Sequence, residues 1–148
     1  MIAVVQRVSR AEARVAGAVV GRIGRGLLVL VAIERGDDAA LLDGFSDKVL
    51  QMRVFDDNSG RMNRSAMDVG AGILVVSQFT LAADLSRGRR PGFEGAAPPG
   101  EAEPLYEAFV TRLRTSGLVV ETGRFRESME VELVNDGPVT FVLPGRAR

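Results

Sequence analysis

Gly26-Leu27-Leu28-Val29-Leu30-Val31-Ala32-Ile33 is the stretch that decides the architecture of this chain. Its apolar residues run unbroken from Leu27 to Ile33, between Gly26 and Gly36. A short, glycine-bounded, β-prone run of this kind reads as a strand covered on both faces. It is far too short to span a membrane as a helix. Toward the N-terminus, Ile2 to Val8 reads as a second strand. Ala13 to Val15 and Val19 to Ile23 flank Ala16-Gly17, a hairpin signal. Toward the C-terminus, Asp37-Asp38 supplies an N-cap and an acidic first turn. Leu41, Leu42, Phe45, Val49 and Met52 follow at helical spacing and predict a helix over about residues 38–51.

Val54-Phe55 is a short strand, and Asp56-Asp57-Asn58-Ser59-Gly60 a turn that lacks the terminal Glu of a calcium loop. Ile73 to Val76 is another buried strand, running into Ser77. Residues 84–100, rich in Gly, Pro and Arg, form one long loop. Leu105, Phe109 and Leu113 then mark a helix over about 100–115, with Gly117 as its C-cap. Leu118 to Val120, Met129 to Val134 and Val139 to Leu143 are three more strands, and the tail 144–148 is expected to fray. No linker divides the chain, so residues 1–148 read as one domain. Strand groups separated by two main helices predict an α/β fold with a mixed, largely antiparallel sheet.

The chain has no histidine and no cysteine. That removes the commonest acid/base group, the commonest strong nucleophile and any thiolate metal site. The N-terminus lacks the pattern of a signal peptide, so a cytoplasmic location is expected. Net charge is zero, so bulk electrostatics does not announce a nucleic-acid binder. The distribution is less even: Arg87, Arg89 and Arg90 cluster, as do Arg112 with Arg114 and Arg124 with Arg126. Two readings stand, a solvated surface or a local phosphate-binding patch. Gly21 to Gly26 matches neither a P-loop nor a dinucleotide fingerprint.

Chemistry must therefore come from hydroxyls, carboxylates, arginines, the backbone or the substrate. Two segments concentrate such groups. Ser77-Gln78-Phe79-Thr80-Leu81 closes a strand, where loops carry function. Continued alternation would put Ser77 and Phe79 on one face and Gln78 and Thr80 on the other. A hydroxyl nucleophile needs a base, and Asp84 is the only carboxylate nearby, so strand-end hydrogen bonding is the competing reading. Asn135-Asp136-Gly137-Pro138-Val139-Thr140 reads by composition as a hairpin turn. Gly137 also leaves its backbone open to a ligand.

Together these segments closely resemble the two signature motifs of the D-aminoacyl-tRNA deacylase family. The resemblance continues through Met1 to Arg7, Gly26 to Val31, Met62-Asn63, Arg90-Pro91 and Gly123-Arg124-Phe125 to Leu143. One departure is Gly92, where the family pattern has a larger polar residue. The resemblance implies a barrel-like sheet and hydrolysis of the ester joining a D-amino acid to the terminal adenosine of tRNA. Glycine mischarged on tRNA-Ala would be a second substrate. No cofactor and no metal are implied. The partners would be aminoacylated tRNA and a second copy of the chain, in a homodimer whose active site lies at the subunit interface. Ser77, Gln78, Phe79 and Thr80 would hold the ester and adenosine, with the Phe79 or Thr80 N–H stabilising the oxyanion. Gly137-Pro138 would be cis and would enter the neighbouring subunit's pocket, leaving no room for an L side chain. Ala102 would sit near the adenosine, and Arg7 with Met129 would hold the Gly-Pro loop. The tRNA ribose 2′-hydroxyl would assist water, with Thr80 as a covalent nucleophile the competing proposal.

Overall fold

The computed structural model describes residues 1–146. The apolar run becomes β3 (Gly26–Ala32), in the middle of a six-stranded mixed sheet. The other members are β1 (Ile2–Val15), β2 (Ala18–Ile23), β6 (Gly72–Ser77), β7 (Val120–Thr122) and β8 (Glu130–Pro144). The short β4 (Phe55–Asp56) and β5 (Met62–Arg64) pair separately. β1 runs antiparallel to β3, β2 and β8, whereas β6 is parallel to both β3 and β7. The expected mixed, largely antiparallel sheet is thus present.

Alternation along β3 and β6 builds two cores. Leu27, Val29, Val31, Ile73 and Val75 face the helix layer, with Phe45 and Phe109. Leu28, Leu74 and Val76 face the other way, onto Val8, Ala11 and Ile23. That second core fills a nearly closed barrel, and glycines make the closure possible. A Cβ on Gly26 would run into the Gly72 carbonyl beside it, and one on Gly21 would run into the Thr122 carbonyl of β7. Such approaches exclude every other residue type.

The helix layer is α1 (Leu42–Gln51) and α3 (Pro99–Arg114), joined by an edge-to-face Phe45–Phe109 pair with centroids 5.4 Å apart. The first helix starts later than the predicted residue 38. Asp38 instead caps a 3-10 turn over Ala39–Leu41, its carboxylate accepting from the Ala40 N–H at 2.9 Å. The C-cap of α3 is Thr115, and Gly117 turns the chain beyond it at φ +85°. A third helix, α2 (Ala66–Val69), was not expected; Ser65 and Asp68 close a capping box around its start. Among the described residues no helix is long and apolar enough to cross a membrane.

Three strand expectations, and one for the tail, need correction. Residues 2–8 and 13–15 are one strand, β1, whose register shifts near Val8 let it bend past the barrel without breaking. The strand expected over Leu118 to Val120 lies later, at Val120–Thr122. Residues 129–134 and 139–143 are likewise parts of one strand, β8, so Asp136-Gly137 is not a hairpin turn. Finally, the tail is held where fraying was expected. Pro144 still pairs with Ile2, the Gly145 N–H donates to the Met1 carbonyl at 2.7 Å, and Arg146 lies 3.3 Å from Asp37. The last two residues of that expected tail, Ala147 and Arg148, lie outside the described residues.

Candidate active site

β6 ends at Ser77, and the next residue explains why. The Gln78 N–H still donates to the Val31 carbonyl at 2.8 Å, but its own backbone swings to φ −138°, ψ 75°. Phe79–Ala82 then wind as a 3-10 turn. The face-sharing expected for an extended 77–80 segment therefore stops at Ser77. A 3-10 turn leaves its first N–H groups without internal acceptors. No hydrogen bond reaches the Phe79 or Thr80 N–H among the described residues.

Phe79, the first residue of this turn, lines a cavity of about 610 Å³, the size of a small-molecule site, and Thr80 follows it in the chain. Ser77, Gln78 and Phe79 line it, as do Ala102 at the start of α3, Phe125 and Met129. Phe79 is 55% exposed and packs edge-to-face on Phe93 at 5.2 Å. The two rings offer an apolar wall without closing the mouth. Ala102 is small and buried, so it leaves the cavity floor open. Met129 accepts a weak hydrogen bond from the Arg124 N–H to its sulfur at 3.3 Å. Its sulfur also lies 2.6 Å from where a Gly123 Cβ would stand, so Gly123 makes room for it.

Thr80 is not among the lining residues; its hydroxyl accepts from the Gln78 amide at 2.5 Å. No carboxylate or other base contacts it among the described residues. Among the described residues Glu127 is the one carboxylate of the cavity lining, which also includes Arg35 and Arg126. Behind the wall, the Tyr106 hydroxyl donates to the Val75 carbonyl at 3.1 Å. Burial pushes the Tyr106 pKa up to about 12, against a lowering by Arg114, so this phenol stays neutral and structural.

The second segment lies elsewhere in the protomer. The β1–β8 ladder jumps from Gln6↔Thr140 to Val8↔Asn135, so residues 136–139 bulge opposite Arg7 alone. The Gly137-Pro138 peptide bond is cis, Gly137 has φ +148°, and both residues are exposed. Neither lines the cavity. Side chains replace the missing ladder. Asn135 accepts from the Val139 N–H at 2.7 Å and donates to the Val139 carbonyl at 3.2 Å. Arg7, only 8% exposed, donates to the Asp136 carbonyl at 2.9 Å and the Val54 carbonyl at 2.8 Å. Arg7 thus clamps the bulge, whereas Met129 lines the cavity. Sequence reasoning missed Phe93, Arg35 and Arg126 as lining residues. Arg126 alone carried a faint signal, sitting in a polar Gly-Arg-Phe-Arg stretch that becomes a positive-φ turn at φ 66°.

The family model described as D-Tyr-tRNA(Tyr) deacylase matches residues 4–144. A D-aminoacyl-tRNA deacylase from Symbiobacterium thermophilum is 60% identical over 95% of this chain and 93% of its own length. A solved structure described as c-Myc DNA unwinding element binding protein superposes with a TM-score of 0.93. It is 42% identical and covers 99% of this chain and 100% of its own. A second, of a probable eukaryotic D-amino acid tRNA deacylase, shares the fold alone, with a TM-score of 0.82 at 19% identity over 96% and 97% of the two chains. The chain belongs to the D-Tyr-tRNA(Tyr) deacylase family.

Proposed function

We propose that this chain hydrolyses the ester between a D-amino acid and the terminal adenosine of tRNA, and leaves L-aminoacyl-tRNA intact. The observation that carries the reading is the unpartnered Phe79 and Thr80 N–H pair beside an aromatic-walled cavity that holds no nucleophile–base pair. Water adds to the ester carbonyl, and its oxygen takes the negative charge. Two preorganised N–H groups stabilise that charge where it develops. The carbon–oxygen bond to the ribose then breaks, and the ribose oxygen leaves with the proton. The neighbouring ribose hydroxyl assists the proton transfer, a role no side chain here fills. Ser77 and Gln78 orient the ester, while Ala102 leaves room for the adenosine.

Chiral selection is assigned to Gly137 and Pro138 of a second copy, in a cytoplasmic homodimer of single-domain chains. The supporting geometry is that the bulge is exposed, clamped by Arg7 and outside its own protomer's cavity. Inserted into a partner's cavity, the bulge would occlude the space of an L side chain. Glycine, with no side chain, would pass, so glycyl-tRNA-Ala is a second substrate. The 42% identity to a DNA-binding protein supports one other reading, a nucleic-acid module that binds charged tRNA without cleaving it. Incubation with D-tyrosyl- and L-tyrosyl-tRNA separates them. Release of D-tyrosine alone is expected; an intact D-ester with bound tRNA would establish the module. Normal turnover of a tRNA ending in 2′-deoxyadenosine would remove the ribose from the mechanism.

A further inference from the structure

The loop between Asp84 and Gly92 projects from the cavity wall as a closed unit. Its ends pair backbone to backbone, Asp84 N–H to Gly92 carbonyl at 2.8 Å and the reverse at 2.9 Å. The Asp84 carboxylate turns inward and accepts from the Ser86 N–H at 2.8 Å. Phe93, the next residue, lines the cavity. Glu94 packs over the open side of Gly92, filling space that a larger residue there would need. Arg87, Arg89 and Arg90 on this loop are exposed, a few residues from the cavity-lining Phe93.

These arginines differ from most others in the chain. On the sheet surface, Arg10 and Arg14 pair with Glu132, and Arg22 pairs with Glu12. Arg112 pairs with Asp43 and Arg7 with Asp56. Arg87, Arg89, Arg90 and the cavity-lining Arg126 have no hydrogen-bond or carboxylate partner among the described residues. An adjoining cavity, which shares Phe125 and Glu127 with the first, is lined by Glu103 and Glu107 of α3. Arg114 and Arg124 line that cavity as well, so its carboxylates are offset, whereas the loop carries three arginines with no carboxylate partner among the described residues. A polyanion leaving the cavity would be drawn over the loop.

We infer that Arg87, Arg89 and Arg90 form a phosphate-binding collar for the RNA strand that delivers the terminal adenosine to the cavity. Guanidinium forks suit phosphodiester oxygens, and no base contact is needed. The inference rests on the tRNA-ester reading above. It makes the loop a determinant of tRNA capture and leaves the chemistry to the cavity.

The test is the combined variant Arg87→Gln, Arg89→Gln, Arg90→Gln, assayed on D-tyrosyl-tRNA and on D-tyrosyl-adenosine, which has no phosphate. Neutralising a single-strand phosphate contributes a salt slope of about 0.7, so three lost contacts should flatten the slope for tRNA by about 2. At physiological salt kcat/KM on tRNA should fall by about tenfold or more, with the change in KM. On the adenosine ester it should stay within about twofold, a split that generalised loop damage would not give. The pair Glu103→Gln, Glu107→Gln should bind tRNA as well as wild type or better. An unchanged tRNA salt slope, or equal losses on both substrates, would overturn the collar. Failure of wild-type protein to cleave either ester would instead refute the hydrolase reading, and the salt slope of uncleaved tRNA binding would still decide the collar.

Discussion

Replacing Arg7 by methionine removes the clamp that joins β1, the segment entering β4 and the β8 bulge. The aliphatic stem is kept, so the loss isolates the guanidinium. That group donates to the Val54 and Asp136 carbonyls at 2.8 and 2.9 Å, and it is 8% exposed. Two carbonyls left unpaired cost about 1–3 kcal/mol each. The carboxylates of Asp56 and Asp136 lie 3.4 and 3.8 Å away but are 52% and 57% exposed, so they add at most about 1 kcal/mol. Water reaching the bulge offsets part of the Asp136 term. The net expectation is a loss of about 3 kcal/mol, or a fall in Tm of roughly 6–12 °C for a domain of this size. Urea unfolding at fixed protein concentration, followed by circular dichroism, reads it as a lower midpoint with an unchanged slope. Arg7→Lys should recover less than half, since one ammonium cannot span two divergent carbonyls. D-tyrosyl-tRNA hydrolysis by the folded Arg7→Met protein should fall by about tenfold or more, because the bulge loses its anchor. A midpoint equivalent to under about 1 kcal/mol, with full activity, would refute the clamp.

Three further outcomes are expected. Tyr106 is the only tyrosine, so tyrosinate absorbance reports it alone, and the folded protein should titrate near pH 12 against about 10 when unfolded. The neutral form is favoured by folding, so stability should decline as pH rises from about 10 to 12; coincident folded and unfolded titrations would contradict its burial. Gly137→Ala places a Cβ 2.6 Å from the Val139 side chain and 2.7 Å from its nitrogen, at φ +148°, so D-tyrosyl-tRNA turnover should drop by about tenfold or more. Near-normal turnover there would detach the bulge from the reaction. Thr80→Ala should keep kcat within about threefold, since its hydroxyl meets only the Gln78 amide; a loss of about a thousandfold in single-turnover assays would restore Thr80 as nucleophile.

The central strands were legible because their signals are local. Leu27 to Val31 and Ile73 to Val76 are apolar on both faces, and both faces are in fact covered. The long strands were not, for two different reasons. Ser9, Arg10 and Glu12 fall between the two stretches predicted as strands, yet in β1 Arg10 pairs with Glu132 of β8 and Glu12 with Arg22 of β2. In β8 the Asp-Gly-Pro stretch carries the chemistry of a turn, and tertiary contacts override it. Arg7 lies more than a hundred residues away in sequence, and no local pattern announces that its guanidinium will stand in for ladder hydrogen bonds. The same limit applies to the cavity. Ser77 to Phe79 were legible as a motif, whereas Phe93 and Arg126 join them only after the sheet closes. Thr80 shows the converse, a motif residue whose side chain turns away from the lining.

The pairing of β1 with β8 has a consequence for biosynthesis. The strand made first finds its outer partner only when residues 130–144 exist. β2 and β3 can cover one edge of β1 early, since they follow within a short loop. The other edge must wait while more than a hundred residues are added, which takes on the order of ten seconds at about 5–20 residues per second. Throughout that interval a row of backbone donors and acceptors on β1 is open to any passing strand. Closure therefore waits for β8, and a chain halted before β8 leaves the ribosome with its longest edge bare.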